Sequence, residues 1–253
     1  MKKIDYRGAV IPIILLLVWS VSAQQKWIDA AFLPPLSTVW DEFVKGWQSG
    51  ELRENVLASL IRNLAGFIAG GLVGVSAGLV LGLNTWVDRF FSPTLNAIKH
   101  VAVFAWIPLM IMWFGHGELS KVIFIALVVF YPVFFNTYDG IKNVPHRLYE
   151  VADIFQLSAT HRFFKVLLPA AAPSIFAGLN IALVFSWMAT VGAEYFFVSD
   201  LGVVNPILDG QNVFKMEVVL YGMVVIAVIG LILSKAAQFF ENYNLRWRQP
   251  SEK

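Results

Sequence analysis

The stretch LAGFIAGGLVGVSAGLVLGL, residues 64–83, decides the fold class. It carries no ionisable side chain and matches the roughly 20 residues that a helix needs to cross a bilayer. Within it Gly66, Gly70, Gly74, Gly78 and Gly82 recur every four residues, with Ala69, Gly71 and Ala77 beside them. On a helix this spacing gathers small residues on one face, where two backbones can approach closely in lipid. The row predicts a helix-packing face.

Five further apolar stretches lie around it, at 8–23, 101–114, 122–138, 175–198 and 218–240. The 101–114 stretch is short, and extends back through 95–100. None alternates as a membrane barrel strand does. The expected fold is therefore all-α: a polytopic membrane protein with six transmembrane helices and one domain over 1–253. Composition agrees. The chain of 253 residues is 58% hydrophobic and 14% charged, with a mean hydropathy of +0.66, whereas soluble domains carry about 25% charged residues. The lack of cysteine excludes a disulfide scaffold, thiol catalysis, zinc–cysteine sites and iron–sulfur clusters. A net charge of +2 is too small to indicate a nucleic-acid partner.

Lysine and arginine set the orientation. With the N-terminus in the cytoplasm, thirteen of them fall inside and six outside, which places both ends inside. Lys2, Lys3 and Arg7, the apolar run 9–21 and Val21-Ser22-Ala23 also fit a cleaved signal peptide. A retained anchor helix gives the same orientation. The outside segment, 24–62, has a Pro34-Pro35 break followed by Leu36, Val39, Phe43 and Trp47 at helical spacing. Two readings fit: an amphipathic helix on the membrane surface, or one packed on the bundle.

Catalytic patterns are missing. There is no G-x-x-x-x-G-K-[ST] loop for ATP and no H-E-x-x-H. His100, His116, His146 and His161 lack metal-ligand spacing. Glu194 is the one ionisable residue read as lying inside a span away from an end cluster of charge. Mid-membrane charge costs about 2.5–3.5 kcal/mol on insertion scales, so Glu194 is expected to face a pathway or gate, or to be hydrated near the interface. Asn180, Trp187 and Glu194 follow at seven-residue intervals, with Ser186 and Thr190 in the same span; Trp106 and Trp113 share that interval. Such stripes also arise from packing alone.

The inside loop 139–173 has helical periodicity in Leu148, Val151, Ala152 and Phe155, and then an apolar run from Phe163 to Pro169. Exposed apolar side chains on a loop call for a partner surface. Glu150-Val151-Ala152-Asp153 followed by Val166-Leu167-Leu168-Pro169 resembles the E-A-A-x-x-x-G…I-x-L-P coupling loop of ABC-importer permeases. Leu33-Pro34-Pro35-Leu36-Ser37, Ser49-Gly50-Glu51-Leu52, Ala105-Trp106-Ile107-Pro108-Leu109, Trp113-Phe114-Gly115 and Asn136-Thr137-Tyr138-Asp139-Gly140-Ile141 resemble the sulfonate/taurine/nitrate branch.

The resemblance implies a permease in a bacterial inner membrane, paired with a second copy of itself and surrounded by lipid. Two cytoplasmic ATPase subunits would hold the ATP, so this chain binds no cofactor and is not an enzyme. An external solute-binding protein would deliver the cargo, an alkanesulfonate first, with taurine, nitrate or another small solute as alternatives. Coupling to the ATPase is expected at Glu150, Ala152, Asp153, Gln156, Leu168 and Pro169. The translocation path is expected near Lys99, Trp106, Asn180, Trp187, Thr190 and Glu194. Two places depart from the family pattern. Gln156 stands where its glycine falls, so a turn there is made without glycine's freedom at positive φ. Lys99 and Ala102 replace an arginine and a proline. An intramembrane enzyme or a stand-alone transporter carrying protons on Glu194 are the rivals, and the coupling loop argues against both.

Overall fold

The computed structural model describes residues 7–25, 27–29, 31–197 and 200–244. Apolar length dictates the main elements. Helix α1 is Arg7–Gln24, α2 is Leu36–Ser49 and α3 is Glu51–Leu83. Then come α4, Thr85–Ile98, and α5, Ile107–Phe114, the latter led in by a 3₁₀ turn at Val103–Trp106. Helix α6 is Glu118–Lys142 and α7 is His146–Ile154. Helix α8, Ala159–Arg162, runs through a π turn at Phe163–Leu167 into α9, Leu168–Phe196. Helices α10, Asn205–Asn212, and α11, Met216–Asn244, follow.

Among the described residues, four helices are long and apolar enough to cross a membrane: α3, α6, the run Ala159–Phe196, and α11 over Met216–Glu241. The pair α4–α5 makes a fifth if it counts as one span, but it is bent by 95°. The described residues thus give four or five spans, and the expected count of six is not confirmed. The described apolar part of α1, Ile13–Gln24, is shorter than a span. The expected continuity of 95–114 is also corrected. Helix α4 ends at Ile98, and Pro108, which has no N–H for Phe104, takes the first turn of α5, a position proline favours at a helix start. Ala102, with ψ +130, takes the extended conformation that separates the two.

The helices sort into two compact units, Met1–Ala58 with Asp200–Ala227, and Ser59–Ser199 with Val228–Lys253. In the first, α2 stacks Trp40, Phe43 and Trp47 along one side, and Phe43 meets Tyr221 edge-on at 6.2 Å. Val39 is buried while Trp40 and Trp47 stay exposed. One edge of this helix packs on protein and the other is exposed. Gly50, at φ +83, ends α2 in the left-handed conformation that favours glycine. In the same unit Asn55 Oδ1 accepts the Gly202 N–H at 3.0 Å.

The second unit is built on close crossings by α6. A Cβ added at Gly74 would lie 3.0 Å from Val133 Cβ, and at Gly78 2.6 Å from Thr137 Cβ. At Gly82 it would meet Ile141, at Gly66 Ile125, and at Gly70 the Ala126 backbone. The whole row of α3 lies on α6. The opposite flank of α6 meets α9 just as closely, with Gly178 against Asn136 and Gly140 against Ser174. Phe124, Ile125, Val129 and Val133 of α6 form the core with Ala182, Ala189 and Ala193 of α9.

Candidate functional site

Two places in the second unit bring candidate functional side chains together. The first is the connection from α6 to α9. Far from being an open loop, 139–173 is mostly helical. Between α7 and α8 the chain reverses at Gln156, whose φ is +49. The Leu157 N–H donates to Ala152 O and the Gln156 N–H to Asp153 O, both at 3.0 Å. These bonds satisfy the last carbonyls of α7. Ser158 then caps α8 by accepting the His161 N–H. The π turn follows because Pro169 removes one backbone donor; the Leu168 N–H reaches back to Phe163 O instead.

The side chains divide by face. Ala152 is fully buried and Leu148 half-buried, whereas Val151, Ile154, Phe155 and Phe164 are exposed. This corrects the expected common face of Leu148, Val151, Ala152 and Phe155, and it places Ala152 inside while its neighbours face outward. Helix α7 packs on the π turn, so the side toward α9 must be small or apolar. Glu150 is exposed beside His146 at 3.2 Å, Asp153 pairs with Arg162, and Pro169 is exposed. The outward apolar set is Val151, Ile154 and Phe155.

A left-handed conformation costs an ordinary residue roughly 1–2 kcal/mol. Gln156→Gly is therefore expected to raise stability by about 1 kcal/mol, after allowance for glycine's larger unfolded entropy. Thermal unfolding in detergent checks this. A lower melting temperature in the variant would contradict it.

The second place is a buried polar layer. Glu194 accepts from Ser59 Oγ at 2.5 Å and from Arg62 Nη1. The other edge of the guanidinium, Nε and Nη2, donates to Glu118 Oε2 and Oε1 at 2.7 and 2.8 Å. Lys121 Nζ joins the same Glu118 Oε1 at 2.8 Å. One and two turns earlier in α9, Asn63 Nδ2 donates to Thr190 Oγ1 at 2.9 Å and to Ser186 Oγ at 3.0 Å. Arg62 thus ties α3, α6 and α9 together. The reading of Glu194 as isolated charge is corrected: two cations and a second acid share its layer.

The remaining residues expected on a path do not converge. Trp187 lies over Gly230, and Asn180 donates to Glu241, so both face α11 while Glu194 and Thr190 face α3. Lys99 Nζ holds Asn96 Oδ1 at 2.8 Å and lies 4.9 Å from the Phe135 ring centre. Trp106 Nε1 is buried and meets no acceptor among the described residues. Sequence reading missed Arg62, Glu118, Lys121, Asn63 and Glu241, having counted the two cations as outside loop charges. A signal existed: Ser59, Arg62, Asn63 and Gly66 continue the face of the glycine row, spaced by three and four.

The family model described as binding-protein-dependent transport system inner membrane component matches residues 70–247. The chain belongs to this family. The permease is 32% identical over 246 residues to an aliphatic sulfonates transport permease protein of Bacillus subtilis, covering 97% of this chain and 89% of the relative. It is 30% identical to a taurine transport system permease protein of Escherichia coli, covering 92% and 86%. Among solved structures, the MetNI methionine ABC transporter in inward-facing conformations has the same fold, with a TM-score of 0.64 at 15% identity, over 76% of the permease and 95% of that chain. The permease is a multi-pass membrane protein of the ABC-importer branch that includes sulfonate, taurine, nitrate and bicarbonate permeases.

Proposed function

We propose that this permease is the membrane path, a single domain over 1–253, of an ATP-driven importer for an alkanesulfonate or a closely related small anion. The observation that carries the substrate class is the 32% identity over 97% of the chain to a sulfonate permease. Two copies would frame the path, and a separate external protein would deliver the cargo. Two ATPase subunits would dock from the cytoplasm and bind the ATP, leaving this chain without a cofactor or catalytic role. The side of α7 is then cytoplasmic, as is the end of α11. With α1 counted as a further crossing, the N-terminus is cytoplasmic too.

Docking is assigned to the outward set on α7. Val151, Ile154 and Phe155 offer apolar surface beside the acids Glu150 and Asp153, and an apolar patch flanked by charge suits a protein cleft. The exposed Gln156 turn and the Leu168–Pro169 helix start would transmit movement of α7 to α9. Ile154→Asp is expected to abolish co-purification of the ATPase subunits and sulfonate-stimulated ATP hydrolysis, with the melting temperature unchanged because the side chain is exposed. Ala152→Leu, by contrast, should lower the melting temperature first. Normal ATPase recovery and stimulation in Ile154→Asp would remove the proposed docking site. Uptake of radiolabelled methanesulfonate by the reconstituted complex tests the cargo, with taurine, nitrate and bicarbonate as competitors.

A further inference from the structure

Glu118 is placed unlike its partners. Arg62 and Lys121 retain only 4% and 2% of their exposure, yet the Glu118 side chain that they hold is 63% exposed. Two cations have been taken out of solvent, and the carboxylate covering them remains reachable from it. Three donors are drawn together at that one carboxylate. Arg62 Nε, Arg62 Nη2 and Lys121 Nζ converge on two oxygens, so Oε1 receives two of the three donors. The other acid of the layer differs in kind. Glu194 is fully buried, takes Arg62 Nη1 and Ser59 Oγ, and so fixes the guanidinium from behind.

We propose that Arg62 and Lys121 form a binding site for a small tetrahedral oxyanion such as a sulfonate, and that Glu118 is its built-in, exchangeable occupant. The fit is one of charge and of shape. With Glu194 in place and the Glu118 carboxylate swung away, Arg62, Lys121 and Glu194 together carry an excess of one positive charge, which suits a monoanion. A sulfonate has three oxygens for the three donors, and guanidinium forks favour such paired acceptors. The position suits arrival of a solute. Glu118 begins α6 and Lys142 ends it, so at 1.5 Å per residue the site lies about 36 Å from the coupling end. That is roughly a bilayer's thickness. The choice of sulfonate rests on the cargo proposed above; the site itself rests on the cluster.

Glu118→Gln removes the competing charge while keeping the side chain's size. In detergent, its melting temperature is expected to rise saturably with sodium methanesulfonate, and not with sodium chloride at matched ionic strength. The parental protein should need at least a tenfold higher concentration for half the effect, because its own carboxylate competes. Glu194→Gln, which opens no route from solvent, should lose stability that methanesulfonate does not restore. An equal response of Glu118→Gln to both salts, or an equal rescue of Glu194→Gln, would overturn the site and leave only a clamp between helices. Should Glu118→Gln not fold, Glu118→Asp serves in its place. Its shorter carboxylate reaches the donors less well, so its half-effect concentration should fall below the parental one; an unchanged concentration counts against the site. Methanesulfonate uptake by the parental complex separates the two proposals. Saturable binding to Glu118→Gln without uptake rejects the cargo and keeps the site, and uptake without binding does the reverse.

Discussion

Replacing Glu194 by alanine is expected to destabilise the permease by about 3–5 kcal/mol, the range for removing one partner of a buried ion pair. The carboxylate holds Ser59 and Arg62 where neither has exchange with solvent. Without it the guanidinium keeps Glu118 but loses the carboxylate on its buried edge. Glu194→Gln preserves volume and one acceptor, yet leaves that edge without a charge, so it should lie between the parental protein and Glu194→Ala. A proton carrier would behave otherwise: glutamine would block transport at full stability. The double change Arg62→Met with Glu194→Leu removes both charges and fills the space. It is expected to regain most of the stability, since apolar replacement of a buried pair is often neutral or better. Thermal and denaturant unfolding in detergent give the values. A Glu194→Ala protein that melts with the parental one would show that the pair contributes nothing.

The glycine row should give the second large effect, and it should be specific to position. Gly70→Ala places a methyl group against the Ala126 backbone, which cannot move aside as a side chain would. Overpacking of this kind costs about 1–3 kcal/mol. Gly70→Leu, Gly74→Leu and Gly78→Leu should exceed that range and separate α3 from α6. Gly71 is the control. Its added Cβ would meet only Leu179 Cδ2, at an ordinary 3.8 Å, and alanine is the better helix former. Gly71→Ala should therefore melt at or above the parental temperature. Equal melting of Gly70→Leu and the parental protein would mean that the row does not carry the crossing.

What could be read in the sequence was what depends on near neighbours. Residues 64–83 had to be a buried or lipid-facing helix because their length and apolar content allow little else. The four-residue glycine interval had to gather on one face, since helical geometry is fixed by local hydrogen bonds. The motif around Glu150 and Pro169 led to the family for the same reason, being short and contiguous. Even Gln156 could be singled out, because the family resemblance puts it at a glycine position, where a reversal between two helices needs φ above zero.

Tertiary structure decided what depends on which helices meet. Nothing local separates a lysine at a span end that reaches for water from one turned inward, and Arg62 and Lys121 were read as the former. Arg62 is inward because α6 and α9 bring it Glu118 and Glu194, which lie 56 and 132 residues away in the chain, while Lys121 meets Glu118 one turn earlier on its own helix. The same holds for Ala152, whose helical face is periodic on both sides until the π turn covers one. The bend between α4 and α5 shows the limit from the other direction. Apolar length favoured one helix there, but the chain leaves helical geometry after Ile98 and turns extended at Ala102 before α5 begins. Hydropathy thus selects the segments that leave water, while the cost of burying charge without a partner selects how those segments pack against one another.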